Sequence, residues 1–501
     1  MAKRLCTLGY DWGVSNNAAA LPSFQKQYGR EFHGSDTGYI IPARYLSGWS
    51  AAASGGDIIG ILLSGQLIEW IGRKHSLLVG AVITAIGVGM QVASTEWILF
   101  LCGRLVNALG FGIVYILSPV WIGETVRPEL RGFYLCLMNT SIVVGQLLLA
   151  VVSRAISTIQ GDWSYRSLIL TQFIFCVLLL ILYPWFPESP YYLLKRGRKE
   201  NARKALNRIY GSSDQALIDA EMDRIANDVA FSESLRAAAT KNGSAIIQCF
   251  RSSNLRRTLI ACLPVAEQQC IGSTFVFGFM TYFLSLIGIN DFFSVTVALS
   301  CVMLVSSAAA FPLIEVFGRR KLLIPGTYSL TAALLVMGVT GCFDSRATVW
   351  VFLVSIFLWA VVYQSTLGAI GFAFGAEVPS LPLRSSTVSL MGFVQMVGVW
   401  VLSLVLPYLI NPDAANLGAK IGFIFFGLSI VPCILMWFFI PETKGLSFKE
   451  MDYLFATKTD CRRFQDTVQE YRSRAGADID ATNIKGILAD GVEIAHIERS
   501  V

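Results

Sequence analysis

The chain has 501 residues, 54% of them hydrophobic and only 15% charged, and its mean hydropathy is +0.57. Those figures exclude a soluble globular chain and point to a polytopic membrane protein. No nucleic-acid signature accompanies the net charge of +6, whose meaning lies in where the charges fall.

Apolar windows mark twelve spans, near 5–24, 45–67, 75–94, 97–122, 132–154, 165–186, 258–287, 291–314, 322–342, 348–376, 388–410 and 420–440. Only Met1 to Tyr10 precede Asp11, so the first span is short; a genuine short N-terminus and a truncated gene model both fit. No cleavable signal peptide is expected ahead of it. The stretch 104–132 is apolar and glycine-rich between Arg104 and Glu124, and twenty helical residues rise roughly 30 Å. Arg104 therefore lies well inside the bilayer, where a lone cation costs on the order of 3 kcal/mol. It either snorkels to the nearer surface or has an acidic partner.

Basic residues alternate by side. Arg73-Lys74-His75, Arg127, Arg131, Arg319-Arg320-Lys321 and Arg384 share one side with the polar segment 188–257, which carries thirteen Lys/Arg. The positive-inside rule makes that side, and both termini, cytoplasmic. Within the segment, 196–240 reads as two or three amphipathic helices, for example 201–210 and 214–239. Residues 446–501 read as a polar tail with one helix at 447–472, followed by disorder. Asn242-Gly-Ser fits a glycosylation acceptor but falls on the cytoplasmic side. Most of the cysteines (Cys102, Cys136, Cys176, Cys262, Cys270, Cys301, Cys433) lie in apolar spans without a pairing pattern, so they read as small apolar side chains. Three histidines in no cluster give no metal site.

A repeat is written into the chain. Glu69-x-x-Gly72-Arg73-Lys74 returns as Glu315-x-x-Gly318-Arg319-Arg320, an offset of 246. Glu124 and Arg131 return as Glu377 and Arg384, an offset of 253; Pro187-Glu188-Ser189 returns as Pro441-Glu442-Thr443, an offset of 254. Three motifs in one order at nearly one offset mean two six-span halves of like topology. The expected fold is all-α, with twelve transmembrane helices in two pseudo-symmetric bundles, 1–187 and 258–440. A cytoplasmic helical linker, 188–257, joins them, and 441–501 forms a cytoplasmic tail.

The motifs GYDWGV (9–14), GQLIEWIGRK (65–74), ETVRPELRG (124–132), PESPYYLLKRG (187–197), QQCIGST (268–274), EVFGRR (315–320), EVPSLPLRS (377–385) and PETKG (441–445) resemble those of major facilitator superfamily sugar porters. The acid in GGDIIG (55–60) and the EVPSLPLRS stretch look most similar to fungal α-glucoside permeases. The resemblance implies an alternating-access carrier with a sugar site between the halves. A chain of that kind is not an enzyme and needs no cofactor, with a proton as the coupling ion. Its partners are a small sugar and the lipid bilayer, and it is expected as a monomer in the plasma membrane.

Candidate site residues fall into three sets. Asp11 lies roughly 16 Å into span one, Asp57 lies mid-way along span two, and Arg104 is a single guanidinium for both. Two carboxylates against one cation leave one acid in surplus, able to load a proton while the other pairs; a static structural triad is the alternative. In the family, Asp and Arg at the positions of Asp11 and Arg104 look like the proton-coupled pattern, whereas Leu8 stands where the α-glucoside branch carries Glu.

For sugar hydroxyls, side-chain amides are the natural ligands. Asn139 and Gln146, seven apart, share one face of span five. Gln268, Gln269, Gln364 and Gln395 stand at the family's polar positions, and Tyr363 and Phe372 at aromatic ones. Thr274, Met303 and Phe372 replace the family's Asn, Asn and Trp, which points away from a glucose-selective carrier. Glu267 is an additional intramembrane acid. Finally Glu69, Arg73, Glu124, Arg131, Glu315, Arg319, Glu377 and Arg384 are expected to cross-pair between the halves at the inner helix ends as a gate. A facilitative hexose uniporter and a transporter-like nutrient sensor are the competing readings; a tail of about 55 residues after Gly445 argues against the sensor.

Overall fold

A computed structural model describes residues 2–475 apart from 34–37, 126–127, 160, 212–214, 242–244, 290, 344, 380–382, 447 and 458. The first half runs α1 (Ala2–Ala19), α2 (Pro22–Tyr28), α3 (Ala43–Ala93), α4 (Trp97–Thr125), α5 (Pro128–Ile156), α6 (Trp163–Leu170) and α7 (Gln172–Leu182). A two-residue antiparallel ribbon, β1 (Arg30–Glu31) with β2 (Tyr39–Ile40), lies between α2 and α3. Helices α8 (Pro190–Lys195), α9 (Lys199–Tyr210), α10 (Gln215–Lys241) and α11 (Ala245–Cys249) form the linker. The second half runs α12 (Ser252–Cys270), α13 (Met280–Leu286), α14 (Phe292–Phe317), α15 (Arg319–Thr340), α16 (Arg346–Ser365), α17 (Leu367–Glu377), α18 (Arg384–Ile410) and α19 (Ile421–Phe439). The tail adds α20 (Phe448–Ala456) and α21 (Phe464–Ala475).

Ten helical segments among the described residues are long and apolar enough to cross a membrane. One of them, α3, holds two spans whose helical path breaks at Gly72 (φ 86°, ψ 175°). The remaining crossing is α1, whose Asp11, Ser15, Asn16 and Asn17 make it too polar for that test although all four are buried. That gives the twelve crossings of the repeat. Large apolar side chains such as Trp70, Val305 and Trp350 lie on the outside, as a lipid-facing surface requires.

The core of the second half is centred on Phe275, Phe283, Trp359, Phe374 and Phe425. In the first half, an aromatic nest of Phe24, Tyr28, Trp49, Phe100 and Tyr165 fills the end away from the linker. The linker helices share a small core of their own, Leu206, Ile218 and Ile225.

Two spans are broken where they meet the centre. After Cys270 the chain leaves the helix at Gly272 (φ 83°) and resumes as a π-helical turn, Phe275–Phe279, before α13. The Phe425 ring lies 3.2 Å from where a Cβ on Gly272 would stand, so space and backbone both demand glycine. Between α16 and α17, Thr366 departs from helical geometry (φ −124°, ψ −92°). Broken helices of this kind expose backbone groups to a central site.

The tail differs from expectation. The single helix expected at 447–472 is two, separated around Asp460, whose carboxylate accepts from the Arg462 amide at 3.2 Å and starts a new turn. This pair docks on the second bundle through the Arg257–Asp452 ion pair and an Arg256 bond to the Thr459 carbonyl at 3.1 Å. The stretch expected to be disordered from 476 onwards, and the 242–244 acceptor motif, lie outside the described residues.

Candidate transport pathway

Helices α1, α3, α4 and α7 bring one acid-rich cluster together. Asp11, Asp57 and Arg104 are all buried, at 7%, 8% and 6% exposure. Asn107, one helical turn beyond Arg104 on α4, donates from Nδ2 to Asp11 Oδ1 at 3.0 Å and to Gln172 Oε1 at 3.3 Å. Arg104 acts electrostatically on both carboxylates, and Asp11 acts on Asp57. Within the described residues no ion pair closer than 4 Å joins Arg104 to either acid, and its Nε and Nη1 find no protein acceptor. The guanidinium is thus shared at a distance. Asn107 holds Asp11 in place, while Asp57 Oδ1 has no hydrogen-bond partner.

Asp57 lines a closed crevice, too tight to hold a water, with Trp12, Ile61, Phe111, Tyr115 and Met396. Met396 comes from α18, so this space lies between the bundles. The Trp12 and Tyr115 rings flank it, 6.4 Å apart. Gly112 lets α4 close on the Asp57 backbone; a Cβ there would sit 2.4 Å from the Asp57 carbonyl oxygen.

The amides at the bundle interface bond to one another. Asn139 Nδ2 donates to Gln364 Oε1 at 3.2 Å across the two halves, and the Thr140 and Ser307 hydroxyls meet at 3.0 Å beside them. A second crevice, about 10 Å³ and so no larger than a single water needs, is lined by Asn139, Ser307, Phe311 and Ala369. Within the second bundle Gln268 donates to the Leu367 carbonyl, at the α16–α17 break, at 2.9 Å, and accepts from Gln395 at 3.3 Å. Thr274 donates to Gln269 Oε1 at 2.7 Å. Tyr363 is buried, stacked on Trp359 at 4.8 Å. Gln146 is half-buried on α5, and Phe372 is half-buried against the second core. Glu267 is fully buried.

At the linker face the repeat becomes a repeated structure. Arg73 makes a two-point ion pair with Glu124, its Nε donating at 2.9 Å, and Ser189 donates to the same carboxylate at 2.5 Å. Glu188 accepts from the amides of Arg73 (2.9 Å) and Lys74 (3.2 Å) just past Gly72. In the second half Arg319 pairs with Glu377 at 2.8 Å, Thr443 donates to Glu377 at 2.6 Å, and Glu442 accepts from the amides of Arg319 (2.9 Å) and Arg320 (3.1 Å). The expected cross-pairing between halves is therefore corrected for Arg73, Glu124, Arg319 and Glu377, whose partners lie within their own bundle. Each arginine is fixed by the helix break before it, which aims its side chain at the nearest acid on its own side. Glu69 is exposed and stands 3.8 Å from Lys195 of the linker. The side chains of Arg131, Glu315 and Arg384 lie outside the described residues.

The opposite face is where the bundles are sewn together. Asn411 Nδ2 donates to the Ile41 carbonyl at 2.6 Å, and the Ala43 amide donates to Asp413 at 3.0 Å. Ser47 donates to the Leu404 carbonyl at 2.7 Å, the Ser54 and Ser403 hydroxyls meet at 3.2 Å, and Arg154 stands 3.4 Å from Asp291. Sequence reasoning missed this seam, as it missed Asn107, Gln172, Trp12 and Tyr115. Asn107 was visible in principle, lying three residues after Arg104 and so on the same helix face.

Two bundles of six crossings that meet along a polar interface, each bundle locked at one face by the same bracket, define a membrane transporter. The family model described as "Sugar (and other) transporter" matches residues 1–455, and the chain belongs to that family: it is a sugar transporter of the major facilitator type, and not an enzyme. The chain is 28% identical to the major facilitator-type transporter ecdD of Aspergillus rugulosus, covering 89% of this chain and 84% of that one. Against the general alpha-glucoside permease of Saccharomyces cerevisiae it is 26% identical over 92% and 75%, and against that yeast's high glucose sensor RGT2 26% over 89% and 58%. The fold matches the partially occluded, inward-open xylose transporter XylE of E. coli with a TM-score of 0.70 at 20% identity, covering 89% of this chain and 98% of that one.

Proposed function

We propose that the chain imports a sugar together with protons, with an α-glucoside or related glycoside as substrate. The observation that carries this reading is the two-acid, one-guanidinium cluster, in which Asp57 reaches the closed interface between the bundles, a space that must open to admit a sugar. A proton arriving there balances the charge of the cluster, and a sugar arriving beside it finds Trp12 and Tyr115 for its C–H faces. Asp11, braced by Asn107, keeps Arg104 oriented so that Asp57 can exchange its proton with the pathway, and coupling therefore needs both acids.

Asn139, Gln364, Gln268, Gln269 and Gln395 supply the hydroxyl ligands, with Gln146 and Thr274 extending the set and Tyr363 and Phe372 shaping it. Substrate entry trades their mutual hydrogen bonds for bonds to the sugar, so little is lost on binding. The moving bodies are the bundles 1–187 and 258–440, joined by 188–257. The linker face is cytoplasmic together with both termini, the opposite face is extracellular and shut in this conformation, and the carrier acts as a monomer in the plasma membrane. Coupling needs no metal or organic cofactor.

The test is uptake of a panel of labelled mono- and disaccharides by reconstituted vesicles, with and without a protonophore, for the wild type and Asp11→Asn. Accumulation against a gradient that collapses with the protonophore and in Asp11→Asn is expected. Full accumulation by Asp11→Asn overturns proton symport. Flux that only equilibrates the sugar identifies a uniporter, and absence of flux with intact signalling identifies a sensor.

A further inference from the structure

Glu267 is a further buried acid, in the half of the molecule that the cluster around Arg104 does not reach. It lies on α12 at 0% exposure, and both carboxyl oxygens lack a hydrogen-bond partner. No charged side chain among the described residues acts on it. The titratable groups in its reach are the thiols of Cys270, on its own helix, and Cys433, on α19. Thr327 and Thr331 of α15 meet the Cys433 thiol from the far side. Helices α11, α17 and α18 also pack on α12. From α11 the Cys249 thiol acts on Cys262, farther back along α12, while α17 and α18 turn neutral groups to it: Leu367 and Gln395 bond to Gln268, and Gly398 closes on Gln269.

The repeat gives this acid a counterpart. Glu267 follows Asp11 by 256 residues, and Cys433 follows Cys176 by 257, close to the offsets of the linker-face motifs. Asp11 on α1 faces Cys176 on α7 as Glu267 on α12 faces Cys433 on α19. What the second half lacks is the guanidinium and the bracing amide: α16 carries no charged residue from Ala347 to Ser365. An ionised carboxylate in such a place would have neither countercharge nor donor, which is strongly unfavourable, whereas the carboxylic acid is tolerated. One turn beyond Glu267 the helix breaks at Gly272, a hinge next to the acid.

We propose that Glu267 is a second proton-carrying carboxyl of the transport cycle, belonging to the C-terminal bundle, protonated while the opposite face is shut and releasing its proton when the break at Gly272 reorients α12. This rests on the symport reading above and adds a proton to it. Two measurements on the reconstituted full chain test it. Infrared difference spectra between neutral and alkaline films should contain a buried carboxylic-acid carbonyl band that persists in the Asp11→Asn/Asp57→Asn double variant, disappears in Glu267→Gln and shifts in Glu267→Asp. Should the glutamine variant fail to assemble, the aspartate variant carries the assignment. Sugar accumulation under an imposed pH gradient should fall in Glu267→Gln by about tenfold per unit of gradient, the loss of one coupled proton. A band unchanged by both substitutions overturns the proposal, as does wild-type accumulation retained in Glu267→Gln. If the wild type itself moves sugar without protons, the symport reading fails and this one with it; if the wild type couples and Glu267→Gln couples equally, only this one fails.

Discussion

Gly72→Ala isolates what the linker-face bracket contributes. Gly72 occupies φ 86°, ψ 175°, a region essentially reserved for glycine, so alanine costs about 1–3 kcal/mol in backbone strain. The new Cβ would stand 2.5 Å from Glu188 Oε2, which cannot stay where it is. Glu188, only 13% exposed, accepts from the Arg73 amide at 2.9 Å and the Lys74 amide at 3.2 Å. A charge-assisted bond of this kind contributes about 1.5–3 kcal/mol, so displacing the carboxylate far enough to lose one brings the total to about 2.5–6 kcal/mol.

Equilibrium unfolding in mixed micelles, followed by tryptophan fluorescence, measures that cost. Gly318→Ala should behave alike, because Gly318 has φ 89° and its Cβ would lie 2.8 Å from Glu442. In a cycle with Glu188→Ala the two losses should fall short of additivity by about 1–2 kcal/mol, since the clash disappears with the carboxylate. A Gly72→Ala protein within about 0.5 kcal/mol of the wild type would refute the reasoning.

Three further outcomes are expected. Ser54→Cys/Ser403→Cys should form a disulfide across the opposite face, given hydroxyls 3.2 Å apart; oxidation should stop transport and reductant should restore it, read as labelled-sugar uptake. Asn139→Ala should raise the KM for sugar more than tenfold with normal expression, since it removes a ligand and leaves Gln364 half-satisfied; an unchanged KM would remove Asn139 from the site. Removing Arg73 or Glu124 alone should destabilise the chain more than removing both, because each leaves a partly buried charge without its partner. The coupling in that cycle should be about 1–3 kcal/mol, and additivity of the two losses would show that the pair contributes nothing.

The twelve crossings and the two-fold repeat were legible because both are properties of the chain read in one dimension: apolar length, and motifs returning at offsets of 246 to 254. What pairs with what was not. Acid and base recur with the same spacing in each half, a pattern that serves pairing across the bundles as well as within them; the side chain is aimed by the break at Gly72 or Gly318, a matter of backbone geometry. Glu188 and Glu442 were visible as repeat markers, but their partners are main-chain amides, which carry no residue identity. The opposite-face seam escaped for a related reason. It joins Ile41 and Leu404 carbonyls to Asn411 and Ser47, and its charged members, Asp413, Arg154 and Asp291, belong to no repeated motif. Asp11, Asp57 and Arg104 do come together, yet the asparagine that holds Asp11 was passed over because an amide inside an apolar helix looks like any other interhelical hydrogen bond.

The brackets have a consequence for how the molecule can be divided. Each closes on its own side of the linker helices: Arg73, Glu124 and Glu188 precede α8, and Arg319, Glu377 and Glu442 follow α11. Among the described residues, neither bundle borrows a side chain from the other to finish its linker-face lock. A chain severed between α10 and α11 therefore yields two fragments, each able to complete its own lock during synthesis. Co-expressed, they would meet only along the seam and the polar interface, as two subunits of a heterodimer.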